Sequence, residues 1–212
     1  MFGAHMNRVE DLLVGGWETS NIFLWQSGPF LSAYIPDGQS DPSGTGSGLD
    51  GGLYGDLGHR SQKPDRVGSP KPSNQSRSHW INAAAFVCPG NSAWQPGTDC
   101  HTGAVDPNSA DTAAQALAAG YLPPIGRFGN AQIGSIVGPG TVNLSSGLSK
   151  SFRLTEGVRF RIEGTFTNVL NHTNLDDPSL NITNANFGQI TQARGSDFGG
   201  SRTGQVAARI DF

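Results

Sequence analysis

The chain has 212 residues, 15% of them charged, with a net charge of -3 and with 30 Gly and 13 Pro that together make about a fifth of it. That length suits one all-β domain or two small ones, the composition is turn-rich without resembling a highly charged disordered protein, and the charge balance offers no basic surface to nucleic acid. No apolar run approaches the roughly 20 residues a spanning helix needs, and "MFGAHMNRVEDLLVGGWE" at the N-terminus lacks the apolar core of a secretory signal, so the sequence reads as a cytosolic chain or as one whose beginning is missing.

The first predicted element, about residues 12–27, is a strand with Trp17, Phe23 and Trp25 on one face and Glu18, Ser20 and Gln26 on the other. Ile22 and Leu24 blur its alternation. From about 28 to 139 the chain reads as irregular. Turn formers crowd "DGQSDPSGTGSGLDGGLYGDLG" (37–58), and only a short apolar segment, "INAAAFV" (81–87), and a helix-prone one, "SADTAAQALAAGYL" (109–122), interrupt the region. In the latter Ser109 suits an N-cap and Gly120 a stop.

After Gly138-Pro139-Gly140 the pattern becomes regular. In 141–152, Val142, Leu144, Leu148 and Phe152 share a face with Ser146 and Lys150, and no odd-numbered position is apolar. The stretch "RLTEG" then gives hairpin spacing to a strand at 158–169. There Val158, Phe160, Ile162, Gly164 and Phe166 alternate with Arg159, Arg161, Glu163, Thr165 and Thr167. A second irregular segment, about 171–203, holds the strand-like "FGQITQAR" (187–194). The final strand, 204–212, sets Val206, Ala208, Ile210 and Phe212 against Gln205, Arg209 and Asp211.

Two architectures put one apolar and one polar face on a strand. In a secreted antiparallel sandwich, binding carbohydrate or a surface partner, two apolar faces pack on each other. In an outer-membrane barrel the apolar face meets lipid and the polar face lines a wet lumen. Strands of about 11 residues favour the barrel, since sandwich strands average nearer 5 or 6. Trp17 and Trp25 are eight residues apart, about 26 Å at roughly 3.3 Å per residue, which suits two aromatic girdles. Connections alternate between very short and very long, as they do between periplasmic turns and surface loops. Lys150 is the awkward residue on the lipid side, and two residues from the turn its stem can snorkel to the interface.

The ordered pieces "GGWETSNIFLWQSG", "WINAAAFVCPG", "IGRFGNAQIGSIVGPGTVNLSSGLSKSF", "RFRIEGTFTNVLNHTNL", "NFGQIT" and "ARIDF" resemble the C-terminal barrel of TonB-dependent outer-membrane receptors, most closely the Oar-like group with a carboxypeptidase-regulatory-like domain. The resemblance implies a longer parent with a plug domain inside a barrel of about 22 strands, driven by the TonB complex through an N-terminal box. This chain is then expected to be the C-terminal piece, a partial antiparallel barrel with two open edges. Its strand ending at Phe212 would be read by the barrel-assembly machinery, although Ala207 stands where a Gly is usual. Taking Phe212 as periplasmic places both long loops outside the cell.

On that reading Trp17, Phe23, Trp25, Val142, Leu144, Leu148, Phe152, Val158, Phe160, Ile162, Phe166, Val206, Ile210 and Phe212 face lipid. Arg159, Arg161, Glu163, Arg209 and Asp211 face the lumen, where they are expected to form cross-strand charge pairs and pack against the plug. Cys88 and Cys100 lie in the first surface loop, where an oxidising environment favours their disulfide. Zinc binding with His101 is the weaker alternative, since two Cys and one His lack structural-site spacing. The scattered His5, His59, His79, His101 and His172 form no HExxH or triad motif, and the Asp-rich 37–57 stretch fits no calcium loop. No enzymatic residue and no cofactor are expected; the role implied is uptake of a scarce ligand such as an iron chelate, cobalamin or carbohydrate.

Overall fold

A computed structural model describes residues 13–36, 62–100, 127–195 and 199–212. The Gly-rich stretch at 37–57 and the helix expected at 109–122 lie outside them. The strands are β1 (Trp17–Gln26), β2 (Phe30–Leu31), β3 (Asp65–Arg66), β4 (Phe86–Val87), β5 (Ile136–Val137), β6 (Thr141–Arg153), β7 (Arg159–Thr167) and β8 (Thr203–Asp211). They divide between two compact units, one of Met1–Ser27, Pro139–Leu175 and Ala193–Phe212, the other of Gly28–Gly138 and Asp176–Gln192.

The first unit is a four-stranded antiparallel sheet in the order β1-β6-β7-β8. Its register sets Phe23 opposite Leu144, Trp25 opposite Val142, Phe152 opposite Phe160, and Phe160 opposite Ile210. Every apolar set anticipated on these strands therefore falls on one face, because a pleated strand sends alternate side chains to opposite sides. Among the described residues no second layer packs over that face. Val206 is 75% exposed, Trp25 71% and Phe23 64%, whereas a packed second sheet would leave such residues nearly inaccessible. Among the described residues β1 and β8 each pair with a single neighbour, so the sheet is open at both edges and no barrel closes.

Strand boundaries differ from the sequence reading by one or two residues, except at the start of β1, and two of the differences have a visible cause. The first strand starts at Trp17 rather than near 12, because Leu13 and Val14 form a helical turn. Gly16 then takes φ +69° so close to Ser151 that a Cβ would strike its carbonyl. Val158 is not a strand residue. Its carbonyl accepts the Leu154 N–H at 3.0 Å, so it closes the hairpin turn.

In the second unit the stretches read as irregular remain largely irregular but are packed. β2 pairs with β5 and β3 with β4, a 3-10 turn spans Ala83–Ala85, and both long connections feed one core. Ile35, Ile81 and Phe86 from the first meet Ile182 and Phe187 from the second, all buried; full burial of each such side chain is worth about 1.5–3 kcal/mol. Phe86 and Phe187 meet edge to face at 5.7 Å. The 187–194 stretch is no strand. Its backbone is taken up instead by irregular partners: the Gly188 carbonyl accepts the N–H groups of Trp80 and Ile81, and the Arg77 guanidinium donates to the carbonyls of Ile190 and Thr191 at 2.9 and 2.7 Å. The unit has only two-residue ladders because irregular backbone bonds and side chains satisfy the polar groups that longer ladders would otherwise serve.

Candidate functional site

The face of the sheet opposite the apolar one gathers Glu18, Arg159, Arg161, Glu163, Arg209 and Asp211. Glu18 and Glu163 both stand opposite Ser149, one on each side. Ser149 is small, so Arg161 reaches across it to Glu18 at 3.2 Å while holding Glu163 on its own strand at 3.5 Å. Arg209 likewise pairs along its strand with Asp211 at 2.6 Å.

Cross-strand charge pairs were expected on this face, and the Arg161–Glu18 contact is one. The register sets Arg159 opposite Asp211 but Arg161 opposite Arg209 and Arg153 opposite Arg159, like charges that repel at such separations, so Arg161 takes its carboxylates along its own strand and from the far side of β6. Arg161 Nε is buried without a hydrogen-bond partner. Around these charges the face carries hydroxyls, among them a Thr167–Thr203 pair at 2.6 Å. It is a wettable wall that can hold polar groups, and among the described residues no cluster of three or more His, Cys, Asp or Glu is placed to grip a metal ion.

At the end of β7 an asparagine cluster ties the neighbouring segments to the sheet. Asn168 and Asn174 are both 1% exposed. The Asn168 amide donates to the carbonyls of His172 and Gly200 at 2.8 and 2.6 Å and accepts the His172 N–H at 3.0 Å. Asn174 accepts the Val142 N–H at 2.7 Å and donates to the Val142 carbonyl at 2.9 Å and the Gly199 carbonyl at 2.6 Å. The His172 ring lies 3.3 Å from Asn174 Oδ1, so its role is in this network. His172 falls in the second irregular segment of the sequence, and the asparagines around it are not singled out by sequence. The signal available was three of them within seven residues directly after a strand, in "NVLNHTN".

Lys150 does not extend toward solvent. It is 6% exposed, its ammonium donates to the Gly15 carbonyl, and it lies 5.1 Å from the Trp17 ring centre and 5.4 Å from that of Phe152. The turn at Gly15-Gly16 brings the carbonyl there, and cation–π contact with both rings offsets lost hydration.

In the second unit Cys88 and Cys100 form the expected disulfide, their Cα atoms 5.5 Å apart. Trp94 packs within the closed loop and donates to the Thr98 carbonyl at 3.0 Å. Asp65 accepts two hydrogen bonds from Arg127, at 2.7 and 2.6 Å, and one from the Asn130 N–H at 3.0 Å. The Arg127 bond holds the Asp65 carboxyl below its ordinary range against the upward push of burial, with the Asn130 N–H adding to it.

Compared with known proteins, the chain matches a family model described as outer membrane beta barrel domain over residues 1–205. No curated protein and no solved structure matches it. An antiparallel sheet with one uncovered apolar face and one charged face is what that family requires, and the chain belongs to the outer membrane beta barrel domain family, which places it in the bacterial outer membrane.

Proposed function

We propose that the chain forms part of the barrel wall and surface loops of a TonB-dependent receptor of the Oar-like group, importing a scarce ligand such as an iron chelate, cobalamin or carbohydrate. The apolar face meets lipid. Arg159, Arg161, Glu163, Arg209 and Asp211 line the lumen and meet a plug domain, which the TonB complex displaces to admit ligand. The folded unit built from both long connections is the capture surface. The chain is wall and receptor and performs no catalysis.

One observation carries this reading: a single sheet offers an uncovered apolar face and, directly behind it, charges arranged with two carboxylates about Arg161. A plug must be held by polar contacts that can be released, and a charged wall supplies them. A photo-cross-linking amino acid placed at Thr165 or Gln205 in native cells is expected to capture a plug domain, and one at Phe166 or Val206 to capture lipid. Uptake of labelled ferric chelate, cobalamin or oligosaccharide is expected to stop when the proton-motive force is collapsed. Lipid capture from Thr165 and Gln205, or uptake of one of these probes indifferent to the proton-motive force, would overturn the reading.

A further inference from the structure

The apolar face carries a groove of about 500 Å³ whose floor and walls include Leu148, Ile162, Gly164 and Val206, with Trp17 and Lys150 at one end. Gly164 makes it. The register places Gly164 between Leu148 and Val206, and the space its missing side chain leaves is approached only by the Phe166 ring, at 3.7 Å. An open apolar channel running to a cation matches one kind of ligand, a chain of methylenes ending in a negative charge.

Lys150 supplies the second half of the match. Of the described strand residues on this face it alone is charged, and it lies three residues before Arg153, the last residue of β6 before the short turn. An ammonium has three donors. One goes to the Gly15 carbonyl, and among the described residues no carboxylate pairs with Lys150. The two rings and the Gly15 carbonyl stabilise the ammonium but leave its net charge unbalanced, and an anion entering the groove would balance it.

We propose that this groove binds an anionic glycerophospholipid, one acyl chain lying over Gly164 and the headgroup phosphate accepting from Lys150 beside Trp17. The proposal rests on the reading that this face meets lipid. It adds a defined, charge-selective lipid position to what is otherwise an undifferentiated apolar surface.

The test uses protein purified from outer membranes and reconstituted into phosphatidylcholine vesicles containing trace diazirine-tailed phosphatidylglycerol or, separately, diazirine-tailed phosphatidylcholine, with adducts mapped by peptide mass spectrometry. Both probes are expected to label the peptide containing Ile162 and Gly164, phosphatidylglycerol about fivefold more, the order of preference one lysine beside an anionic headgroup can give. Lys150→Met is expected to remove the preference while labelling persists, and Gly164→Leu to reduce labelling by both probes. An equal response to the two lipids, or a preference that survives Lys150→Met, overturns the site alone. Absence of both labels from β7 and β8 peptides overturns the lipid-facing reading itself.

Discussion

Asn174 stands in for a strand at Val142. Its side-chain amide accepts the Val142 N–H at 2.7 Å and donates to the Val142 carbonyl at 2.9 Å, the two bonds a neighbouring backbone would make. Because Asn174 is buried, Asn174→Ala leaves backbone groups unpaired, at about 1–3 kcal/mol each. Asn174→Asp keeps the acceptor for Val142 N–H but turns a carboxylate toward two carbonyls, so it is expected to be no milder. Denaturant unfolding in detergent and hydrogen exchange of the peptide containing Val142 measure this. An Asp variant as stable as wild type would show that the donor half of the amide contributes nothing.

The Cys88–Cys100 bond closes a loop of sequence separation 12 around Trp94. Chain entropy for a loop of similar size suggests about 3 kcal/mol, and a unit with few regular hydrogen-bond ladders depends on such constraints more than a sheet does. Reduction should raise the intact mass by two hydrogen atoms and open 88–100 to protease. The double variant Cys88→Ala/Cys100→Ala should show the same sensitivity without reductant. Resistance unchanged in both would make the bond dispensable.

What the sequence disclosed follows from period and local spacing. Alternation in β6 and β7 shows because a slip of one residue would exchange the two faces, and the pairing of Phe152 with Phe160 follows from the short turn between them. The second unit was illegible for the opposite reason: its contacts have no period. Arg77 reaching Ile190 and Thr191, or Ile182 entering a core built with Ile81 and Phe86, links positions about a hundred apart through irregular backbone. The charged residues were identifiable on the polar face, but their partners depended on Ser149 being small enough for Arg161 to cross. The turn that places the Gly15 carbonyl over Lys150 reads, as sequence, only as Gly-Gly.

The Asp65–Arg127 pair gives the second unit a pH dependence whose sign is fixed. The Asp65 carboxyl is held below its ordinary value by the Arg127 hydrogen bond first, burial opposing and the Asn130 N–H assisting. A depressed folded-state value means stability that is present above the unfolded-state pKa, about 3.9, and is lost as pH falls through the lower folded-state value. The Arg127 side chain is 51% exposed, so screening keeps the effect modest. The difference in urea midpoint between wild type and Asp65→Asn should therefore be largest near neutrality and shrink as pH falls from about 5 toward 2. A difference constant across that range would mean the pair contributes nothing through ionisation.

Gly129 holds the same region together by taking no space. A Cβ there would overlap the backbone carbonyls of Lys63 and Pro64, and backbone cannot turn aside as a side chain can. The two segments lie this close because Ala131 N–H donates to the Pro64 carbonyl at 3.0 Å and Asn130 Oδ1 accepts the Arg66 N–H at 2.7 Å. Gly129→Ala must part them, loosening both bonds and the Asp65–Arg127 contact, and the cost expected of such overpacking is about 1–3 kcal/mol or more. Gly157→Ala is the control, since nothing lies within 4 Å of a Cβ at that position; its effect should stay within about 0.5 kcal/mol. Limited proteolysis and denaturant midpoints compare the two, and a loss at Gly129 no larger than that at Gly157 would show that the close approach of its neighbours does not depend on Gly129.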